Sequence, residues 1–328
     1  MQEEIDILEN ELIDKYPEVL GILLEDHTTQ KNIFWATENY QHYGELYSFS
    51  SQILPDLITG ERGNLVMPRV HKHKILQLSR SKEMAEVFTP SWICNAQNNL
   101  VDNSWFGKES VFNKEILLEN GTKSWETTKE KILFPKGKTW VDYVRDTRLE
   151  VSCGEAPYLV SRYDTTTGEF IKIEDRIGIL DRKLRVINEN SESTEEWLKA
   201  VENAYKSTYG FEWQGDSLLL ARETLLMTFI ENFISKFETE AQLQDIQNIA
   251  KIISWNIWQM DGLKGVIPNS CNDKIVEKSD FFETKSEVVK CKGCETQKIK
   301  FHNGIYCNIM DWNIEKPIRF INLLEANK

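Results

Sequence analysis

The sequence predicts an α/β protein, on three observations. TRLEVSCGEAPYL at 147–159 reads as a short apolar strand ending at Gly154, a turn, and an amphipathic helix beginning near Pro157. GFEWQGDSLLLARETLLMTF at 210–229 reads as a strand end, a turn and a long helix burying Leu218, Leu219, Leu225, Leu226 and Phe229. AQLQDIQNIAKIISWNIWQMDGLKG at 241–265 adds a helix that runs into a third short strand. Strands that alternate with helices in this way make a mostly parallel sheet with helices on both faces.

With 328 residues, the chain is long enough for about two domains at roughly 150 residues each. Its 41% hydrophobic and 28% charged residues, with only 16 Gly and 8 Pro, are the usage of a folded globular protein. Lys and Arg number 39 against 52 Asp and Glu, a net charge of −13 that repels polyanions. Contact with nucleic acid would therefore need a local basic patch or a partner subunit. The acidic start, MQEEIDILENELIDKY, lacks the pattern of a secretory signal, and no apolar run approaches the length of a membrane span. Six sparse cysteines suit a reduced, cytoplasmic protein.

In chain order, Ile5, Leu8, Leu12, Ile13, Leu20 and Leu24 recur near helical spacing, with Pro17 kinking the helix or starting a second one. Residues 30–63, rich in aromatics with Asn, Gly and Pro, predict short helices and loops. RVHKHKILQLSRSK at 69–82 is the concentrated basic stretch, and His71 and His73 read as solvated members of it. Residues 108–138 read as a polar surface insertion with a short strand or turn, and 188–196 as a capping loop before another helix. This gives a helical region over 1–85, a core over 86–270, and a small Cys/His element with a terminal strand over 271–328.

Two features bear on chemistry. Gly154, at a strand-to-helix turn, lets backbone approach a ligand closely, although an ordinary turn has the same signature. Glu212, at the end of a strand, stands where nucleoside-binding α/β folds keep the acid that accepts hydrogen bonds from ribose; alternatively it is a solvated loop acid. With EVFTP at 86–90 and WQMDGLKG at 258–265, these segments stand in an order that resembles the S-adenosylmethionine-dependent adenine-N6 DNA methyltransferases of restriction-modification systems. The resemblance covers roughly residues 80 to 265 and implies a Rossmann-like methyltransferase sheet. It places Phe88, Thr89 and Pro90 beside the methionine part of the cofactor and Glu150, Ser152, Cys153, Gly154 and Pro157 in its first loop. It also places Glu212 on the ribose and Asp261 near the adenine. The long spacer from Tyr163 to Tyr209 departs from the family and reads as an insertion or an extra helix pair.

The family's target segment, N/D-P-P-Y/F/W, is missing, since no Pro-Pro occurs in the chain. An exocyclic amine is a poor nucleophile, so acceptors must hold its hydrogens while an aromatic ring stacks on the flipped base. Asp311 and Trp312 in GIYCNIMDWN are the nearest candidates, an acid followed by an aromatic, with a structural pair at a strand end as the equal alternative. Cys291, Cys294, His302 and Cys307 form C-x2-C-x7-H-x4-C, the donor types of a structural zinc site.

These features define the expectation of a cytoplasmic, S-adenosylmethionine-dependent DNA adenine-N6 methyltransferase with a structural zinc. Residues 69–82 would touch DNA phosphates, and a restriction or specificity subunit is a possible partner. The alternative is a catalytically silent methyltransferase-like subunit that binds DNA or a partner protein. A third reading is a methyltransferase for another substrate.

Overall fold

The computed structural model describes residues 5–7, 9–83, 89–279 and 284–324. Phe88, and the expected boundary after residue 85, lie outside the described residues. The fold is mixed α/β, with helices at the N-terminus, several small separate sheets and a Cys/His cluster near the C-terminus.

The centre is a three-stranded parallel sheet made of Arg148–Val151, Thr208–Glu212 and Ile257–Gln259, in sequential order. The register pairs Val151 with Phe211, and Phe211 with Trp258, which puts the C-terminal ends of all three strands on one rim. Parallel strands need long crossovers. The first crossover holds the helix pair Ile179–Asn190 and Thr194–Lys206; the second holds Gly215–Phe237 and Leu243–Asn256. The pair in the first crossover is the extra element expected from the long spacer.

The two faces of the sheet are covered differently. Ile257 belongs to the large apolar cluster with the crossover helices, among them Leu184, Val201, Leu219, Phe229 and Ile253. Phe211 and Trp258, which point the other way, join Cys307, Ile309 and Phe320 from the C-terminal hairpin Asn308–Asp311/Lys316–Arg319 and the short helix after it. This second face is covered by a hairpin with one helical turn, and not by a layer of crossover helices. The covering does not extend to the first strand, where Leu149 and Val151 stay 43% and 66% exposed.

The N-terminal helices Glu9–Lys15 and Val19–Leu24 break at Pro17, where a missing amide interrupts helical bonding, and bury Leu12, Leu20 and Leu23 in the large cluster. Residues 108–138 contain an antiparallel hairpin, Asn113–Leu117 with Lys123–Thr127.

Two expectations are corrected here. No helix begins near Pro157. Ser152, Gly154 and Ala156 all have positive φ, which turns the chain out of the strand three times. A polar loop follows, in which Asp164 caps Thr166 and Thr167, and the next long helix starts only at Ile179. A helix N-terminus is therefore not available to a ligand at this turn. The basic stretch is solvated only in part, and two of its cations serve the interior instead. Lys72 and Arg80 are buried and hold the buried carboxylate of Asp216, with Nζ at 3.1 Å and Nη1 at 2.8 Å, while His71, His73, Lys74 and Lys82 remain exposed.

Candidate cofactor rim and metal centre

At the C-terminal rim, the first and second strands meet through Glu212. Its Oε2 accepts the Gly154 amide at 2.9 Å and its Oε1 accepts the Gln214 amide at 3.2 Å, so the expected ribose acid and the expected glycine are in direct contact. Burial pushes the Glu212 carboxyl up against the pull of these amides. Gly154 has a φ of 55°, and no atom stands within 4 Å of where a Cβ would project, so open space borders the loop. Cys153 is buried, its amide donating to Phe211, and burial pushes its thiol well up. Ser152 is exposed, and Pro157 is half-buried at the end of the turn.

Glu150 is the unusual member. Its Oε1 accepts the Tyr158 amide at 3.4 Å, whereas Oε2 is buried with no hydrogen bond of ordinary geometry among the described residues. Burial pushes its carboxyl well above the usual range, and nearby Glu212 adds to the effect. An acceptor left without a well-formed hydrogen bond in a dry setting costs about 1–3 kcal/mol, and more when charged.

Thr89 and Pro90 lie beside this loop. The Tyr158 hydroxyl is within hydrogen-bonding reach of Thr89 and Cys94, and Asn98, on the helix Ser91–Phe106 that Pro90 opens, donates to the Tyr158 carbonyl at 3.0 Å. Asp261 also reaches the rim, two residues past the third strand. Its Oδ1 accepts the Leu263 and Lys264 amides and its Oδ2 faces the Lys264 ammonium at 3.2 Å, so its carboxylate closes its own turn. Sequence reasoning missed Gln214, whose Oε1 is a second buried acceptor without a hydrogen bond among the described residues. Its place directly after the strand-end Glu-Trp was the available signal. A cavity of about 1520 Å³ borders Pro90, Trp92, Trp125 and Phe170 but touches none of Glu150, Gly154, Glu212 or Asp261, so it is a separate groove.

Asp311 and Trp312 are not at this rim. The strand Asn308–Asp311 follows Cys307, whose thiol donates to the carbonyl of Gln259 at the C-terminal end of the third strand, and from there the chain runs back along the face of the sheet. This run ends with the Trp312 indole donating to Asn256, just before the third strand begins, at 2.8 Å. The Lys206 ammonium lies 5.4 Å from the centre of the Trp312 ring, and Asp311 accepts the amide of Asn313 in a turn. The pair is thus structural and sits on the edge opposite Asp261. A hairpin that packs on the face of a parallel sheet and runs opposite to its strands carries its far end to the other rim, which local sequence does not reveal.

The metal-binding donors are Cys271, Cys291, Cys294 and His302, whose ligand atoms all lie within 4.8 Å of one another. Cys307 is not among them, since it is buried against the third strand. Cys271 takes its place, with its Sγ 3.0 Å from Cys291, 3.6 Å from Cys294 and 3.4 Å from His302 Nδ1. His302 Nδ1 is 3.7 Å from both Cys291 and Cys294. A tetrahedral ion with bonds of about 2.0–2.3 Å needs donor separations of roughly 3.4–3.8 Å, which all of these but the shortest meet. Gly293 is required here, because a Cβ would come 2.5 Å from the His302 amide nitrogen. Three thiols and one imidazole form a closed set able to hold a metal ion.

No family model, curated protein or solved structure matches the chain. Among the described residues, no helix is long and apolar enough to cross a membrane.

Proposed function

We propose that the chain binds S-adenosylmethionine at the C-terminal rim of its parallel sheet, as a methyltransferase-like subunit that relies on a partner for the DNA-adenine target segment. The unpaired Glu150 Oε2 is the observation that carries this reading. A buried carboxylate oxygen beside a glycine loop bordered by open space suits the cofactor's ammonium. Glu212 and Gln214 would serve the ribose hydroxyls, and Thr89 and Pro90 would line the methionine side. The bound cofactor supplies an electrophilic methyl group on a sulfonium. With Asp311 and Trp312 on the far edge, the reading of a complete adenine-N6 methyltransferase has no target residue at this rim among the described residues.

Glu150→Gln is expected to weaken S-adenosylhomocysteine binding by about tenfold, the loss of roughly 1.4 kcal/mol from one charge-assisted contact. In the free protein burial holds the Glu150 proton, and pairing with an ammonium releases it, so wild-type affinity should rise with pH, whereas that of Glu150→Gln should not. Calorimetry checks both points, and pH-independent binding by both proteins would remove Glu150 from the site. Incubation with methyl-labelled cofactor and DNA separates the subunit from the complete enzyme. Label entering DNA without any added protein would overturn the partner requirement.

We infer further that the Cys3His centre holds structural zinc, because a closed thiolate-rich set with no open position favours that ion. Metal analysis of protein purified under reducing conditions should give one zinc per chain, and none in Cys294→Ser. Zinc retained at full stoichiometry in that variant would show that the ligand set is wrong.

A further inference from the structure

We propose that the metal centre is a clamp on the Asp261–Gly265 turn, so that the turn keeps its place at the rim only while the ion is bound. This rests on the metal reading above, and it names the structural purpose of that site.

The geometry connects the two places by a short route. The chain leaves the third strand at Gln259, forms the turn and continues straight to the first ligand, Cys271. On the way Val266 bridges to both Asp261 and Tyr306. The Ile267 amide donates to Ile305 at 2.8 Å, the Cys307 amide to Gly265 at 3.1 Å, and the Ile305 amide to Ser270 Oγ at 3.0 Å. Residues 265–270 are thus laced to residues 305–307, which follow directly on His302. A packing contact completes the link. Gly265 has a φ of 68°, and a Cβ there would stand 3.3 Å from Ile299 Cδ1 and 2.7 Å from Ile321 Cγ2. Ile299 lies between the ligands Cys294 and His302, and the Tyr306 hydroxyl donates to its carbonyl at 2.7 Å.

The ligand loop has little else to hold it. Within residues 291–302 the buried residues are Cys291, Gly293 and His302, which belong to the metal centre itself, while Phe301 is exposed. A segment without an apolar core of its own folds at the expense of metal-binding free energy. Without the ion, nothing would tie the four donor side chains together, and Ile299 would lose its fixed position against Gly265. The turn bears Asp261 and Lys264, so its order decides whether the third wall of the rim exists.

The test compares the full chain loaded with Zn²⁺ and the same chain stripped by a strong chelator under reducing conditions, using hydrogen exchange at single amides. The amides of Lys264, Gly265, Ile267 and Cys307 should exchange at least about tenfold faster without zinc, while those of the second strand keep their rates, as local opening requires. Unchanged rates at these four amides after confirmed metal loss would overturn the proposal. So would uniform acceleration throughout the sheet, which would mean global unfolding. Ile299→Ala provides the second arm: it should keep one zinc per chain yet accelerate the Gly265 and Cys307 amides. Zinc-loaded Ile299→Ala with wild-type rates would also overturn the clamp. Neither readout uses S-adenosylmethionine, so failure of the cofactor reading would appear separately as absent binding by the zinc-loaded protein.

Discussion

Asp216→Ala is expected to cost about 3–5 kcal/mol of folding stability, because it removes the counter-ion of two buried cations. Asp216 is completely buried in the first turn of the helix Gly215–Phe237 and accepts from Lys72, both Arg80 nitrogens and the Tyr40 hydroxyl at 2.8–3.3 Å. These cations hold its carboxyl far below the usual carboxylate range, against a strong desolvation effect. The cost therefore belongs mainly to the charges left behind. Adding Lys72→Met and Arg80→Met to Asp216→Ala should recover a large part of the loss, since apolar side chains of similar volume need no counter-ion. Urea unfolding at neutral pH provides the measurement. A loss below about 1 kcal/mol for Asp216→Ala would mean that the pair is hydrated in solution.

The second large effect concerns pH. Glu9, on the first N-terminal helix, and Glu223, within the helix Gly215–Phe237, are buried, and their carboxyl oxygens accept no hydrogen bond of ordinary geometry among the described residues. Burial pushes Glu9 up to about 8, with Asp6 adding to it, and pushes Glu223 well above the usual range, with Glu9 and Asp6 adding to it. The folded state thus keeps protons that the unfolded chain releases near pH 4.5. The contribution of these two groups to stability is full below about pH 4.5 and is lost as pH rises through about 8. The double variant Glu9→Gln, Glu223→Gln cannot ionise at these sites and should show a much flatter profile. It should gain several kcal/mol relative to wild type between pH 5 and 9, at roughly 1.4 kcal/mol for each tenfold difference in proton affinity between the folded and unfolded chains. Denaturation midpoints across that range decide it, and parallel slopes for the two proteins would contradict the buried placement.

Much of the fold was legible because its signals are local. Each parallel strand is a short apolar run followed by a turn, and each crossover helix carries its apolar residues at helical spacing, as in the stretch Leu218–Phe229. Three of the four metal donors were readable from the C-x2-C-x7-H spacing for the same reason. The rest depended on long-range placement. Cys271 is separated from Cys291 by the hairpin strands Lys274–Ser279 and Thr284–Val289, so nothing in its neighbourhood marks it as a ligand. Cys307 had the better spacing and was drawn instead to the third strand. Residues 69–82 looked like a phosphate-binding patch because composition cannot show that Asp216 would meet Lys72 and Arg80 inside the protein. Pro157 suits the first turn of a helix, but the left-handed Ala156 before it sends the chain elsewhere.

Arg222 has a consequence for how the chain can be divided. Its guanidinium, on the helix Gly215–Phe237, is buried and donates to the carbonyls of Leu23 and Glu25 in the N-terminal region, of Ser254 in the last turn of the helix Leu243–Asn256 and of Ile257 at the start of the third strand. One side chain thus joins the end of the second N-terminal helix to the central sheet through backbone oxygens, for which no side-chain substitution can compensate. A fragment beginning after residue 88 would leave this cation facing two missing acceptors in an apolar setting and would bare the groove that Leu20 and Leu23 fill. Such a fragment should be insoluble when produced alone and recover when a separate 1–88 peptide is co-expressed, so the two parts would behave as complementing halves of one folding unit.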